Sequence, residues 1–197
     1  DDRATGEVIA EVAAGRPEDV DAAVACARAA LPGWDALGPL GRAAAIHRYA
    51  AVLDEHQPEL AELIHREEGK PLGEAQAEVA RACEVMHHFA GEAERLWTMQ
   101  MPGPTLSTGS IVRPAPIGVV AAITPWNFPI NQIMLKVAPA LAAGCTVVLK
   151  PSEVAPSTAF ILAEVLHEIG LPPGVFNLVT GYGPVVGEVL ASHPDVD

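Results

Sequence analysis

The chain has 197 residues, 50% of them hydrophobic, with a formal net charge of -13 at pH 7 and a pI near 4.8. A chain of this size and apolar content can bury a core of ordinary domain size, which excludes overall disorder and indicates one domain or part of a larger one. The acidic balance argues against a nucleic-acid or anionic-membrane partner, because binding to phosphates is driven mainly by Lys and Arg.

Cysteine usage and the lack of long apolar runs narrow the class of protein further. The three cysteines, Cys26, Cys83 and Cys145, lie far apart and show no CxxC spacing. A secreted disulfide framework or a zinc ribbon is therefore not expected. No basic segment followed by an apolar stretch opens the chain, and no apolar run approaches the roughly 18 residues of a membrane span. The sequence predicts a soluble protein of the reducing cytoplasm.

The first part of the chain, residues 1–105, is predicted to be a mainly helical lead-in. A weak alternation over residues 7–13 predicts a short surface strand. Pro17 stands where a helix begins and Pro32 where one stops, which predicts a first helix over residues 17–31. Apolar periodicity between Gly and Pro stops predicts three more helices, over residues 40–55, 58–68 and 72–97. The last of these is predicted to be a long surface helix with a single buried stripe.

The second part of the chain switches to short apolar runs that predict strands. Residues 110–113 could form one extended strand in the segment 106–116, confined by neighbouring prolines to an edge or to a place outside the main sheet. Residues 119–123 and 145–149 are apolar runs separated by a helical pattern of about twenty residues, which is the usual crossover between parallel strands. A helix over 156–169, a strand over 175–179 and a last short helix complete a βαβαβ core over residues 117–197. A further strand is expected to begin at Val196, so the sheet is predicted to be unfinished.

Polar residues follow the first two strands of this core, at the edge where open α/β sheets bind ligands. Thr124 to Asn127 follow the first strand, and Lys150 to Glu153 follow the second. Asn127 has two interpretations, an N-cap for the next helix or a neutral hydrogen-bond donor to an oxyanion. Judged on this residue alone, the N-cap is the better guess.

Lys150 and Glu153 also have two interpretations. The lysine could simply reach solvent while the glutamate favours a helix dipole. Alternatively both could bind the hydroxyls of a cofactor ribose, where a carboxylate also repels a 2′-phosphate. The sequence GYGPVVG, residues 181–187, is weak evidence alone, but it follows a predicted strand and opens a helix, as a nucleotide-binding turn does.

Two groups on the long helix are interpreted as structural. Cys83 and His87 stand four residues apart, which is metal-ligand spacing, but no second Cys/His pair exists to close a tetrahedral site, so no metal is predicted. Glu74, Glu78 and Arg81 are interpreted as a solvated helix face.

Taken together, these segments resemble the aldehyde dehydrogenase superfamily from about residue 7 to residue 197. The most specific motifs are ITPWNFP at 123–129, LKPSE at 149–153 and GLPPGVFNLVTGYGP at 170–184, with weaker support from EEGKPLGEAQAEV and from the PAL segment after Lys136. The resemblance implies an α/β fold with a Rossmann-like open parallel sheet and helices on both faces, preceded by the helical lead-in. It also implies that residues 110–113 belong to a hairpin that serves oligomerisation.

The resemblance implies a role for each matching position. Asn127 is similar to the family's oxyanion donor, and Lys136 matches a lysine that supports the catalytic centre. The positions implied to bind the cofactor are Ile123, Thr124, Pro125, Trp126, Lys150, Ser152, Glu153, Gly183, Pro184 and Gly187. The implied cofactor is NAD in preference to NADP, because Glu153 would lie beside the ribose.

The family's nucleophile, a cysteine in a Gly-Gln-x-Cys segment, and its general-base glutamate lie downstream of the region that this chain covers. The implied reaction is thiolate attack on an aldehyde, hydride transfer to the nicotinamide, and release of the acid by activated water. The chain is thus expected to supply the cofactor site and half of the oxyanion hole of a homodimeric or homotetrameric enzyme, and to be inactive alone. The alternative is a non-catalytic nucleotide-binding or oligomerisation module.

Overall fold

A computed structural model describes residues 1–105 and 107–197 of the chain. Its first part contains the helices α1 (Pro17–Ala36), α2 (Gly38–Glu55), α3 (Gln57–Glu68) and α4 (Leu72–Glu94). The predicted second and third helices are confirmed. The predicted end of the first is wrong, because α1 continues through Pro32. The reason is a tertiary contact beyond that proline: the buried indole of Trp34 donates a hydrogen bond of 3.1 Å to the carbonyl of Leu141.

The predicted strand over residues 7–13 is wrong, since the structure has no strand there. Most of these side chains are exposed, and the chain from Ala13 to Gly15 makes two hydrogen bonds with Thr180. The Thr180 hydroxyl donates to the carbonyl of Ala13 at 2.8 Å, and the amide of Gly15 donates to the carbonyl of Thr180 at 2.9 Å. Two isolated hydrogen bonds do not form the continuous pairing of a β-sheet, so the segment has no regular secondary structure.

Helix α4 lies in the middle of the helical layer and contacts α2, α3 and the helix that follows the first sheet strand. Its predicted stripe is buried in the middle of the helix, but Leu72 and Trp97 at the predicted ends are exposed. The helix ends at Glu94, whose carbonyl accepts the indole N–H of Trp97 at 3.2 Å. Because α4 has neighbours on more than one side, its buried face is wider than the single stripe that was predicted.

An exposed hairpin follows α4 and lies outside the main sheet. Strand β1 (Met99–Pro102) pairs antiparallel with β2 (Gly109–Val112), and every residue of both strands is exposed. The expected extended segment near residues 110–113 is therefore confirmed with a shift of one residue. The hairpin implied by the resemblance is present, but the residues of its partner strand β1 were not predicted.

The main sheet consists of three parallel strands, β3 (Val119–Ile123), β4 (Thr146–Lys150) and β5 (Phe176–Leu178), with β4 in the centre. Helix α5 (Pro129–Ala143) connects the first two strands, and α6 (Ser157–Glu168) connects the second and third. A π-helical turn (Gly183–Gly187) and α7 (Glu188–Ala191) follow β5. The predicted strands, crossovers and parallel pairing are confirmed. Asp197 then returns to the free edge of β3, where its amide donates to the carbonyl of Val119 at 3.1 Å.

Helices cover both faces of this sheet, as the predicted α/β class requires. Val148 packs with Val20 and Val24 of α1 in one core cluster, whereas Val147 and Leu149 face the larger cluster formed by α2 to α6. Alternate residues of β4 thus point to opposite cores, and every residue of the strand is buried. No helix among the described residues is long and apolar enough to cross a membrane.

The turn between α6 and β5 provides a stability prediction. Gly174 has φ +86°, and a Cβ at this position would lie 2.5 Å from the carbonyl oxygen of Cys26 in α1. We expect Gly174→Ala to destabilise the fold by about 2 to 3 kcal/mol, because both the backbone conformation and the contact are unfavourable. Gly170→Ala should destabilise the fold less, because Gly170 has φ +77° but a Cβ there would lie in open space. Gly33→Ala should cause no loss of stability, because Gly33 lies within α1 and a Cβ there would also lie in open space. Melting midpoints measure the three effects, and equal losses at 174 and 170 would contradict the close approach.

Candidate functional site

The carboxyl ends of β3 and β4 lie level with each other, so the two polar turns meet at one edge of the sheet. Ile123 is paired in register with Lys150, and the amide of Thr124 donates to the carbonyl of Lys150 at 3.1 Å. The chain after β5 joins the same edge through the amide of Val179, which donates to the carbonyl of Leu149 at 2.9 Å. The structure therefore brings all three predicted segments together.

Lys150 and Glu153 form an ion pair at this edge, with Lys150 Nζ 2.7 Å from Glu153 Oε2. The lysine side chain is only 4% exposed, whereas the glutamate is 37% exposed. The other carboxylate oxygen, Oε1, accepts the amide of Gly183 at 3.2 Å. The hydrogen bond from Lys150 and the backbone amides lower the pKa of Glu153 to about 2, so the carboxylate is ionised at neutral pH.

The Lys150 ammonium has capacity for a ligand. An ammonium carries three N–H donors, and Glu153 is the one hydrogen-bond acceptor found for it among the described residues. A buried lysine with unused donors next to a partly exposed carboxylate matches what the hydroxyls of a sugar need, because each hydroxyl both donates and accepts.

The glycines of the π-helical turn leave room beside this ion pair. A Cβ at Gly183 would lie 3.8 Å from Glu153 Oε1, and one at Gly187 would lie 3.9 Å from Lys150 Cδ. Larger side chains would extend from these points over the pair, so glycine keeps the space open. Pro184 occupies the first turn of this segment. A pocket lined by Pro151, Ser152 and Glu153 opens next to the turn.

The turn after β3 combines a buried hydroxyl with an exposed apolar surface. Thr124 is buried, and its Oγ1 has no hydrogen-bond partner among the residues that the structure describes. Such a group is costly unless something supplies the missing bond. Beside it, Ile123, Pro125 and Trp126 are exposed. Ser152, across the edge, is buried and accepts the amide of Val154 at 3.2 Å.

Asn127 is exposed just before α5, and the structure argues against its interpretation as an N-cap. The N-cap of α5 is Phe128 rather than Asn127, and within the described chain no side-chain hydrogen bond is made at this N-cap position. The carbonyl of Asn127 accepts the Lys70 ammonium at 3.0 Å. The Asn127 carboxamide therefore does not cap α5, and helix capping does not explain its presence at this position.

Lys136 lies half-buried two turns further along α5. Its Nζ contacts the carbonyl and the Oε1 of Gln132, both at 3.3 Å. These hydrogen bonds remain within α5. The structure does not bring Lys136 into contact with Asn127 or with the residues at the strand ends.

A buried charge network next to Asn127 was missed by sequence reasoning. Lys70 lies 3.0 Å from Glu68 and forms a closer ion pair with Glu78. The prediction that Glu78 belongs to a solvated face is wrong, although Glu74 and Arg81 are exposed as predicted. The spacing of Glu78 could have predicted its burial. It lies three residues after Ala75 and four before Ala82, so it shares a helix face with two residues that are buried on α4.

Cys83 and His87, which have metal-ligand spacing, both meet Asp54 of α2. His87 Nε2 lies 2.8 Å from Asp54 Oδ2. Burial and a hydrogen bond with Asp54 raise the pKa of the Cys83 thiol to about 12, so it is protonated at neutral pH. No group of three or more potential ligands in residues 1–105 and 107–197 could hold a metal ion.

Comparison with known proteins decides the family. A family model described as the aldehyde dehydrogenase family matches residues 2–197. The chain belongs to this family. Among curated aldehyde dehydrogenases, the NADP(+) succinate-semialdehyde dehydrogenase GabD of Escherichia coli K12 is 44% identical over 191 residues, which are 97% of this chain and 40% of the relative. Glutarate-semialdehyde dehydrogenase of Pseudomonas aeruginosa is 45% identical over 193 residues, 98% of this chain and 40% of the relative.

Solved aldehyde dehydrogenase structures share the fold. A variant of aldehyde dehydrogenase C from Pseudomonas syringae, complexed with NAD+ and octanal, has a TM-score of 0.91 and 48% identity over 100% of this chain and 40% of that chain. Lactaldehyde dehydrogenase from E. coli has a TM-score of 0.94 and 38% identity, covering 99% and 41% of the two chains. This chain therefore spans about 40% of the length of the relatives that it matches.

Proposed function

We propose that this chain is the dinucleotide-binding part of an enzyme that oxidises an aldehyde to a carboxylic acid with NAD(P). The observation that carries the proposal is the edge at which the Lys150–Glu153 ion pair, Gly183 and the turn bearing Asn127 come together. Membership of the aldehyde dehydrogenase family supports it. The residues fit the cofactor, since the ion pair has unused hydrogen-bonding capacity and the glycines leave space beside it.

Each part of the edge has a proposed task. Lys150 and Glu153 hold the hydroxyls of the adenine-side ribose, with Ser152 beside them, while Gly183, Pro184 and Gly187 accommodate the adenine. Ile123, Thr124, Pro125 and Trp126 line the path towards the nicotinamide. When bound, the nicotinamide accepts a hydride from the substrate.

Asn127 acts at the other end of the same edge. Its side-chain N–H donates a hydrogen bond to the substrate oxygen as negative charge develops there, which lowers the barrier without any proton transfer from the amide. Lys136 is assigned the indirect role of supporting the catalytic centre from within α5, where it contacts Gln132 rather than the edge itself.

We infer that the nucleophile is none of the three cysteines of this chain. Cys83 is buried and its pKa is raised, which disfavours the thiolate that would attack an aldehyde. Cys145 is buried before the start of β4, away from the carboxyl edge of the sheet, and Cys26 lies on α1. The nucleophile and the general base are therefore assigned to other parts of the complete protein.

Cofactor preference and assembly are further parts of the proposal. Glu153 favours NAD over NADP, because its ionised carboxylate would repel a 2′-phosphate. The hairpin β1–β2 carries exposed apolar side chains, among them Met99, Met101 and Ile111, which a homodimer or homotetramer would cover. The free cysteines agree with a cytoplasmic location.

The test is NADH formation by the complete protein with a panel of short aldehydes. We expect acid and NADH to appear in equal amounts, with slower turnover when NADP replaces NAD. NAD binding without turnover of any aldehyde would favour the alternative, a non-catalytic nucleotide-binding or oligomerisation module.

A further inference from the structure

The turn that carries Asn127 is held from outside by a residue of the helical lead-in. Lys70 lies between α3 and α4, and its side chain is only 12% exposed. Its ammonium donates to the carbonyl of Asn127 at 3.0 Å and lies 4.3 Å from the centroid of the Phe128 ring. A cation over an aromatic ring is attracted by the negative face of that ring. One ammonium therefore fixes two consecutive residues of the turn.

Glu78 extends the same network to the first turn of α5. One of its oxygens pairs with Lys70, and the other accepts the amide of Asn131 at 3.3 Å. The first amides of a helix lack partners within the helix, so this carboxylate satisfies one of them from α4. The Glu78 side chain is only 1% exposed. Asn127, Phe128 and Asn131 are thus held by Lys70 and by Glu78 of α4.

The network is stable only while its lysine is charged. Burial alone would lower the pKa of Lys70, but the hydrogen bonds to Glu78 and Glu68 raise it above the ordinary value. The ammonium therefore persists through the neutral range. Without it, two buried carboxylates would face each other with no cation between them, which is strongly unfavourable.

We propose that Lys70 is the positioning residue for the Asn127 carboxamide, an assignment that rests on the proposed role of Asn127 as oxyanion donor. The Asn127 side chain has only two torsions beyond its backbone, so the direction of its N–H follows from the backbone that Lys70 and Glu78 hold. An oxyanion donor acts through a hydrogen bond of about 3 Å, and a shift of about 1 Å removes much of its effect. Lys70 touches neither substrate nor cofactor in this scheme and acts through Asn127.

The experiment compares Lys70→Met, Asn127→Ala and the double variant in the complete protein. We expect Lys70→Met to lower kcat by about 10- to 100-fold with little change in the KM for NAD, since the ribose end of the site is untouched. In the Asn127→Ala background the same change should lower kcat less than threefold, because its target is already missing. Arg81→Met removes an exposed cation on α4 that pairs with Glu84 at 3.0 Å, so it is the matched control and should leave kcat unchanged.

A second measurement separates positioning from general loss of structure. Deuterium exchange of the peptide covering residues 124–131 should rise in Lys70→Met while peptides of β4 and α6 keep their protection. If Lys70→Met does not fold, the double variant Lys70→Met/Glu78→Gln takes its place in the comparison. The second change removes one of the buried carboxylate charges that the loss of Lys70 leaves without a cation.

Three outcomes would overturn the proposal. Full kcat in Lys70→Met together with a large loss in Asn127→Ala would reject Lys70 while leaving the proposed function intact. An equal loss from Lys70→Met in both backgrounds would show that it acts elsewhere. If Asn127→Ala itself has no effect on kcat, the oxyanion assignment fails, and the role of Lys70 fails with it.

Discussion

Asn127→Ala is expected to lower kcat of the complete protein by about 10²- to 10³-fold, the usual loss when one oxyanion donor is removed. The affinity for NAD should remain nearly unchanged, because the ion pair proposed to bind the ribose lies at the end of β4 rather than at the start of α5. Steady-state kinetics with a saturating aldehyde, together with a direct measurement of NAD binding, separates the two effects.

The fold should tolerate this substitution, because Asn127 is exposed and the N-cap of α5 is Phe128. Gln76→Ala, which deletes an exposed carboxamide on α4, is the matched control and should leave kcat unchanged. If Asn127→Ala keeps full turnover but melts at a lower temperature, the residue is structural and the catalytic assignment is wrong.

Glu153→Gln is expected to reduce the preference for NAD over NADP by about tenfold or more. The carboxylate has a pKa of about 2 and is therefore charged at neutral pH, so we expect it to oppose a 2′-phosphate there. The glutamine keeps the size and one of the two hydrogen-bonding oxygens but removes the charge. The quantity to measure is the ratio of the two dissociation constants, since any shared loss of affinity cancels in it.

Glu164→Gln provides the control for this ratio. Glu164 is exposed on α6, so its change alters the net charge by the same amount without touching the Lys150–Glu153 ion pair. We expect the ratio to stay at its original value in this variant. Equal affinity for NAD and NADP in the unmutated protein would contradict the selective role of Glu153. This outcome needs to be tested because one relative is named for NADP(+).

The sheet and its polar edge could be predicted from sequence because their signals are local. Apolar runs such as 119–123, bounded by Gly and Pro, set the strands, and the parallel crossover follows from the length of the helix between them. Once those strands are placed, the meeting of Thr124 with Lys150 follows from the geometry of a parallel pair. The site residues at the edge are therefore a consequence of short-range pattern.

The features that sequence did not predict depend on contacts between distant segments. Helix α1 continues through Pro32 because Trp34 bonds to Leu141, more than a hundred residues away. Glu78 was predicted to be a surface residue, but in the fold it is buried by its contacts with Lys70 and with the start of α5. The continuation through Pro32 leaves no periodic signal, and the spacing of Glu78 from Ala75 and Ala82 indicates burial without naming a partner. In each case a long-range partner overrides the local preference.

The central claim is that the ion pair of Lys150 and Glu153 binds the adenine-side ribose of a dinucleotide whose nicotinamide end points to Asn127. A crystal structure of the complete protein with NAD tests it most directly. We predict that the ribose hydroxyls lie within hydrogen-bonding distance of Lys150 Nζ and the Glu153 carboxylate, with the adenine near Gly187 and the nicotinamide on the Asn127 side. A dinucleotide bound elsewhere, or with its ribose away from this pair, would contradict the account.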